Sequence, residues 1–480
     1  MIAPRCCSLV FLIAATVAVW GEAVPYHQTD FPPEEFKARW EVVFNKIGNQ
    51  AVAVVQGAPR TNGFIFPRQS NEFYYLGGIE TPGSYLLLDG RTRKATLYLP
   101  ARDARLEAAE GKVLSADDGD LVKSLTGADV VLSTEAMRDG WLSDPKGKAP
   151  QEIYALFSPA EGAEQSRYEL MDSNASIAAD FWDGRIPRES RLVELLRTRF
   201  SRSQIRDLTP ILDEMRSVKS PREIALLRRA AQIAGRGLLD AIRSTRPGIY
   251  EYQLEAAARY VYLMNGARLE GYRSIIAAGV ENIWNMHYYR NSKQITADDL
   301  ILMDYAPDYH NYVSDITRMW PANGKFSDSD RELLGFVLAY RNAVMQRIHP
   351  GVTPAQIQEE AKVAMQPVFA HTKFSKPIYE QAAHRLVDAG GGIFSHPVGM
   401  AVHDDGNYVN GPLSPGQVFS IDPQLRVPEE NRYLRYEDVI VITSNGYENF
   451  TDFLPTELSD LENLVGQGGM LQRVPAVLDK

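Results

Sequence analysis

The sequence predicts an α+β protein in two parts, an α/β domain over residues 24–206 and a second domain of paired helices and short strands over residues 207–460. Three observations point there. The chain has 480 residues, 45% of them hydrophobic, which is more than one ordinary core accommodates and enough to fill two. Short apolar runs dominate the first part, whereas a long helix-spaced apolar pattern opens the second.

In the first part the runs beginning at Ala51, Tyr85, Ala95 and Val130 read as strands, and Asp89-Gly90 between two of them marks a hairpin turn. The second part opens at Ser220-Pro221-Arg222-Glu223. There Ser can cap, Pro suits the first helical position and Glu closes a capping box. Leu226, Leu227, Ala230, Ala231, Ala234, Leu238 and Ile242 recur at helical spacing until Arg246-Pro247-Gly248 ends the pattern. The phrase returns at Arg331-Glu332-Leu333 and His349-Pro350-Gly351, so a helix, a Pro-Gly turn and a second helix are expected twice. Residues 461–480 lack a pattern and are expected to form a loosely held tail.

Residues 1–23 read as a removable export signal. One positive charge precedes an almost wholly apolar stretch over residues 9–19, and Gly21-Glu22-Ala23 offers small residues for cleavage near Val24. An uncleaved anchor is the alternative, but the stretch falls short of the roughly 20 residues a span needs. The mature protein is therefore expected to be periplasmic or secreted, with no membrane span. Cys6 and Cys7, the two cysteines, both lie in this segment, which excludes a cysteine nucleophile, a thiolate-bound zinc or a disulfide in the mature chain. A net charge of −10, a pI near 5.5 and the lack of a basic run speak against a nucleic-acid partner.

The chemistry concentrates late in the chain. In residues 300–320 an apolar run ends at Asp304, and Asp315-Ile316-Thr317-Arg318 follows. Two strands joined by a loop at Tyr309-His310 would set Asp304 directly opposite Asp315. Their β-carbons would then lie roughly 4.5 to 5.5 Å apart, a destabilising pair of like charges. Something positive must lie between them: a divalent cation, Arg318 or another basic residue. Three further segments place polar ligands in or beside apolar strands, namely Ser395-His396-Pro397-Val398-Gly399, Ser420-Ile421-Asp422-Pro423 and Arg435-Tyr436-Glu437-Asp438. A carboxylate buried in such a strand is costly unless it is paired or bound to metal.

In order, spacing and flanking residues this set resembles the pita-bread metallopeptidases of family M24, in their aminopeptidase P and prolidase branch. The motifs that carry the resemblance are Asp304 with Asp315-Ile316-Thr317-Arg318, His396 within Ser-His-x-x-Gly, His403-Asp404, Pro415-Gly416-Gln417-Val418 before Asp422-Pro423, and Arg435-x-Glu437-Asp438. Residues 282–291, with His287, are similar to the family's substrate-site segment. Residues 66–78, with Arg68, Asn71 and Glu72, are similar to a phrase of its N-terminal domain.

The resemblance implies a C-terminal pita-bread domain preceded by a creatinase-type α/β domain. It implies two divalent metal ions on Asp304, Asp315, His396, Asp422 and Glu437, with Asp315 and Glu437 bridging. An oxygen-rich donor set suits Mn²⁺, with Co²⁺ or Zn²⁺ as alternatives. His287 and His403 are the implied catalytic and substrate-binding residues, and Arg435 steadies the acids or the substrate. The expected reaction is Xaa-Pro aminopeptidase cleavage of peptides with proline second, by a homodimer or higher homo-oligomer. The competing readings are an Xaa-Pro dipeptidase (prolidase), and a metal-poor pita-bread binding protein or creatinase-like amidinohydrolase.

Two departures from the family pattern stand out. Gly392 occupies the position of a frequent histidine, and Asp422 replaces a glutamate, reaching roughly 1.3 Å less. Either the turn at Asp422-Pro423-Gln424 has moved inward, which Gln424 in place of glycine favours, or the second cation is held weakly.

Overall fold

A computed structural model describes residues 26–473, apart from 62–64, 139, 145, 391–392 and 407. Residues 1–23, read above as an export signal, and Gly392 therefore lie outside the described residues, and among the described helices none is long and apolar enough to cross a membrane.

The N-terminal part is built on a six-stranded mixed sheet. Its central strand, Ala51–Gln56, pairs antiparallel with Tyr85–Asp89 and parallel with Glu152–Ala155. Tyr85–Asp89 and Lys94–Leu99 form the hairpin read at Asp89-Gly90, with Asp89 opposite Lys94. Ala51, Val52, Ala53, Val54 and Val55 are fully buried, because helices and loops cover both faces of the strand. The helix Pro33–Ile47 covers one face with Phe36, Trp40, Val43 and Phe44.

The second part opens with the helix Pro221–Ser244. Its capping box is the one the sequence spells: Ser220 Oγ accepts the Glu223 N–H and Glu223 Oε2 accepts the Ser220 N–H. This helix packs on Glu251–Met264. The later pair, Asp328–Met345 and Pro354–His371, repeats the order of helix, Pro-Gly turn and helix. A three-stranded sheet of Ile275–Ala278, Leu300–Asp304 and Thr317–Pro321 follows the first pair. A second, of Val418–Ile421, Asp438–Ile442 and Tyr447–Asn449, follows the later one. Asp304, Asp422 and Glu437 lie at or next to strand ends of the two sheets, Asp315 two residues before Thr317–Pro321, and His396 beside the bridge from Pro397 to Phe419.

The expected loose tail is folded over its first part. The helix Leu458–Leu464 buries Leu461 against the core of the second part, and the Met470 N–H donates to Asp240 Oδ2 at 3.0 Å. An apolar i, i+3 pattern too short to register in the sequence is enough once a neighbouring helix provides the surface.

The two parts meet through buried charge. Arg68, from the front-domain phrase, pairs with Asp308 at 2.7 Å and donates to the Met400 carbonyl at 3.1 Å. Behind it Arg216 contacts Glu161 at 2.6 Å and also Asp404, and Lys219 reaches Asp404 at 3.1 Å.

Candidate metal centre

Asp304 ends the strand Leu300–Asp304, and its partner across the hairpin is Thr317, not Asp315. The turn sits at His310 and Asn311, both left-handed with φ of 54° and 68°, one position later than the expected loop at Tyr309-His310. Asparagine tolerates that conformation better than the residues around it, which fixes the turn there. The partner of Asp304 thus moves by two residues, which preserves the face, so both acids still project to one side. Tyr272 joins them: its hydroxyl lies 2.6 Å from Asp304 Oδ1 and 2.8 Å from Asp315 Oδ1, one proton for two carboxylates.

Arg318, considered above as the positive group between the acids, faces away. It lies over the Tyr436 ring, pairs with Asp438 and donates to the Glu437 carbonyl. The guanidinium among the acids is that of Arg435, which contacts Asp304 at 2.9 Å, Asp422 at 3.1 Å and Glu437.

Glu437 follows the strand Arg432–Arg435 and is wholly buried. Its N–H donates to the Thr317 carbonyl, and its carboxylate accepts from Thr317 Oγ1 at 2.9 Å and from Ser420 Oγ. His396 Nε2 faces Asp315 Oδ2 at 3.3 Å and Glu437 Oε1 at 3.9 Å, while its Nδ1 lies 3.1 Å from the Pro397 carbonyl. A carbonyl only accepts, so in this contact Nδ1 donates, and Nε2 is turned toward the two carboxylates. That is how a metal-binding histidine is oriented. One ligand atom each from Asp315, His396 and Glu437 lies within 4.8 Å of the others.

Charge balance makes the case for a cation. Asp304, Asp315, Asp422 and Glu437 are all buried, and among the described residues Arg435 is the cationic side chain paired with them. Burial, with Glu437 and Asp304 nearby, pushes Asp315 well above the usual carboxylate range, and burial lifts Asp422 to about 8 despite Arg435. Glu437 is held low by Arg435, His396 and its hydroxyl donors, against the effect of burial. Such a cluster is neutralised by protons or by divalent cations, and its oxygen-rich donors with one imidazole fit a hard divalent ion.

The five ligand positions are not equivalent. Asp315, His396 and Glu437 converge, whereas Asp304 joins them through Tyr272 and Arg435. Asp422 has Oδ1 against Arg435 Nε, and its Oδ2 accepts from Gln424 Nε2 at 2.5 Å. Asp422 and Gln424 thus act as a pair.

His287 stands at the mouth of a cleft with Asn282, Asn285 and Tyr288. Its pKa is lowered by desolvation, opposed by Asp304 and aided by the charges of His403 and Arg435. His403 sets its ring perpendicular to His396, with centroids 4.3 Å apart. Gly399, between these histidines, is required by close approach: a β-carbon there would meet Asp404 Oδ2 at 1.9 Å. Sequence reasoning missed Tyr272, Thr317 and Ser420 as partners of the acids, since a lone hydroxyl carries no pattern. It also missed Tyr168 and Glu169, which reach His403 from the N-terminal domain.

An α/β domain docked on a repeated helix-and-sheet domain, with acids from both sheets gathered on one histidine, forms a site able to hold a divalent cation. Residues 225–444 match metallopeptidase family M24, and residues 36–154 match the aminopeptidase P N-terminal domain. The chain belongs to family M24, in the aminopeptidase P branch.

It is 29% identical to Xaa-Pro aminopeptidase of Escherichia coli over 90% of this chain and 97% of that protein. It is 28% identical to Xaa-Pro aminopeptidase of Haemophilus influenzae, over 92% and 99%. Among solved structures, proline aminopeptidase P II from Yersinia pestis superposes with a TM-score of 0.71 at 28% identity, covering 92% of this chain and all of that one.

Proposed function

We propose that the chain is an Xaa-Pro aminopeptidase, releasing an N-terminal residue that precedes proline. The observation that carries the reading is the convergence of Asp315, His396 and Glu437 beneath a docked aminopeptidase P-type domain, in a chain that matches Xaa-Pro aminopeptidases along nine-tenths of its length. Asp304 and Asp315 would hold one divalent cation, His396 and Asp422 a second, with Asp315 and Glu437 shared. Mn²⁺ is the expected metal on donor hardness. Bound cations would supply polarisation of the scissile carbonyl and activation of water.

The remaining work falls to the protein. His403 hydrogen-bonds the carbonyl oxygen as it gains charge, and His287, whose pKa desolvation lowers, holds or passes the proton bound for the leaving proline nitrogen. Arg435 keeps Asp304, Asp422 and Glu437 spaced and oriented.

The test is metal removal. Cleavage of an Xaa-Pro-Yaa tripeptide should vanish with a strong chelator and return with Mn²⁺; undiminished turnover after verified removal refutes the reading. Hydrolysis confined to Xaa-Pro dipeptides would make it a prolidase instead. Export is a separate proposal that rests on residues 1–23 alone. N-terminal sequencing of native protein should begin near Val24, and an intact Met1 would refute it.

A further inference from the structure

His403 is held from the other domain. Its Nδ1 lies 2.8 Å from the Tyr168 hydroxyl, 235 positions away in the chain, and 3.2 Å from Glu169 Oε1. Its backbone N–H donates to Ser166 Oγ at 3.1 Å. All three partners sit at the start of the helix Arg167–Ala179, whose capping box is Ser166 and Glu169; Glu169 Oε2 accepts the Ser166 N–H at 2.6 Å. The two capping residues therefore serve twice. Each fixes the first turn of its own helix and also holds His403, Ser166 at the backbone and Glu169 at the ring.

The same turn faces the metal centre. Tyr168 has its pKa raised by burial and by neighbouring acids that include Asp315, and Glu169 contributes to the field at His287. A histidine that must offer one nitrogen to a substrate oxygen needs its other nitrogen anchored, because that contact sets ring orientation and tautomer. An unanchored ring would spread over several rotamers and spend only part of its time aligned.

We infer that the first turn of the helix Arg167–Ala179 positions His403 for the reaction: Glu169 and Tyr168 hold Nδ1, Ser166 holds the backbone, and Nε2 is left to meet the substrate carbonyl. Glu169 and Tyr168 are positioning residues, and the N-terminal domain thereby completes a site whose metal ligands all come from the other domain. This inference rests on the peptidase reading above.

Glu169→Gln is the sharp variant, because glutamine still closes a capping box while the charge is lost. It should lower kcat about tenfold, the lower end of what losing a residue that orients another costs, with KM changed less than about twofold. Tyr168→Phe should cost about threefold in kcat by the same reasoning. In a His403→Ala background Glu169→Gln should cost nothing further, since it acts through the missing ring. An undiminished loss in that background, or an unchanged kcat in Glu169→Gln, would overturn the proposal.

Ring-nitrogen NMR of ¹⁵N-histidine-labelled protein, with His403 assigned from its absence in His403→Ala, separates this inference from the activity. Glu169→Gln should shift the His403 Nδ1 resonance, and an unmoved resonance overturns the positioning even if the protein cleaves other peptides or none.

Discussion

Two buried clusters of acids, one between the domains and one at the ends of the catalytic strands, differ in how their charge is met. At the interdomain cluster Glu72, Glu161 and Asp404 face Arg167, Arg216 and Lys219, all six nearly inaccessible to solvent. These six buried groups are matched in number, Asn71 adds a hydrogen bond to Glu161 at 2.8 Å, and the half-buried Asp213 and Asp405 also pair with Arg167, at 2.7 and 2.9 Å. Asp404 is held below the usual carboxylate range by Arg216 and Lys219 in spite of its burial. At the catalytic cluster four carboxylates face Arg435 and the imidazole of His396, so the acids outnumber their described basic partners, and burial lifts Asp315 well above the usual carboxylate range and Asp422 to about 8.

The difference separates structure from function. A cluster whose buried acids are met by as many buried cations fastens two domains, whereas one in which the acids outnumber them carries an electrostatic cost that a bound cation would relieve. Substitution should accordingly weaken metal binding and turnover at one cluster, and stability at the other.

The largest effect is expected at the unbalanced cluster. Asp315→Asn removes a full charge where His396 and Glu437 converge. It should abolish tight metal binding, measured by elemental analysis, and lower turnover by at least about a thousandfold, equivalent to about 4 kcal/mol of transition-state stabilisation. A folded variant with near wild-type metal content and rate would show that Asp315 is not a ligand.

Next comes Arg216→Met, which leaves Glu72, Glu161 and Asp404 short of a partner. Breaking a buried charge network in this way costs about 3 to 5 kcal/mol, read as a lower midpoint in chemical denaturation. A loss below about 1 kcal/mol would place this cluster among the weak ion pairs of ordinary surfaces.

The smallest effect sharpens the comparison from inside the metal centre. Gln424 and Arg435 occupy both oxygens of Asp422, so the cation that depends on Asp422 should bind more weakly than the other. Gln424→Gly frees Oδ2 and should tighten that weaker cation about tenfold, or about 1.4 kcal/mol, in a calorimetric titration. Unchanged affinity would mean that Asp422 either reaches the cation already or plays no part in holding it.

Local patterns in the sequence carried a large part of this. The capping box at Ser220, the hairpin strands after Tyr85, the repeat of helix, Pro-Gly turn and helix, and the acids placed at apolar strand ends all rest on interactions among residues a few positions apart. A regular backbone turns such spacing directly into direction. Asp304 and Asp315 could be assigned to one face even with the turn misplaced, because a two-residue shift keeps the parity of a strand.

What the sequence by itself determined, then, is the residue types that gather at the site and the elements that carry them. Tertiary structure alone decided their partners. It set Arg435 rather than Arg318 among the acids, Tyr272 between Asp304 and Asp315, Gln424 against Asp422, and the cap of a distant helix against His403. Apart from Gln424 and Asp422, which share one turn, these pairs join residues from different elements, and each depends on where a whole element docks. Docking is set by packing across the two sheets and the domain contact, a sum over many buried contacts that no short stretch of the chain encodes.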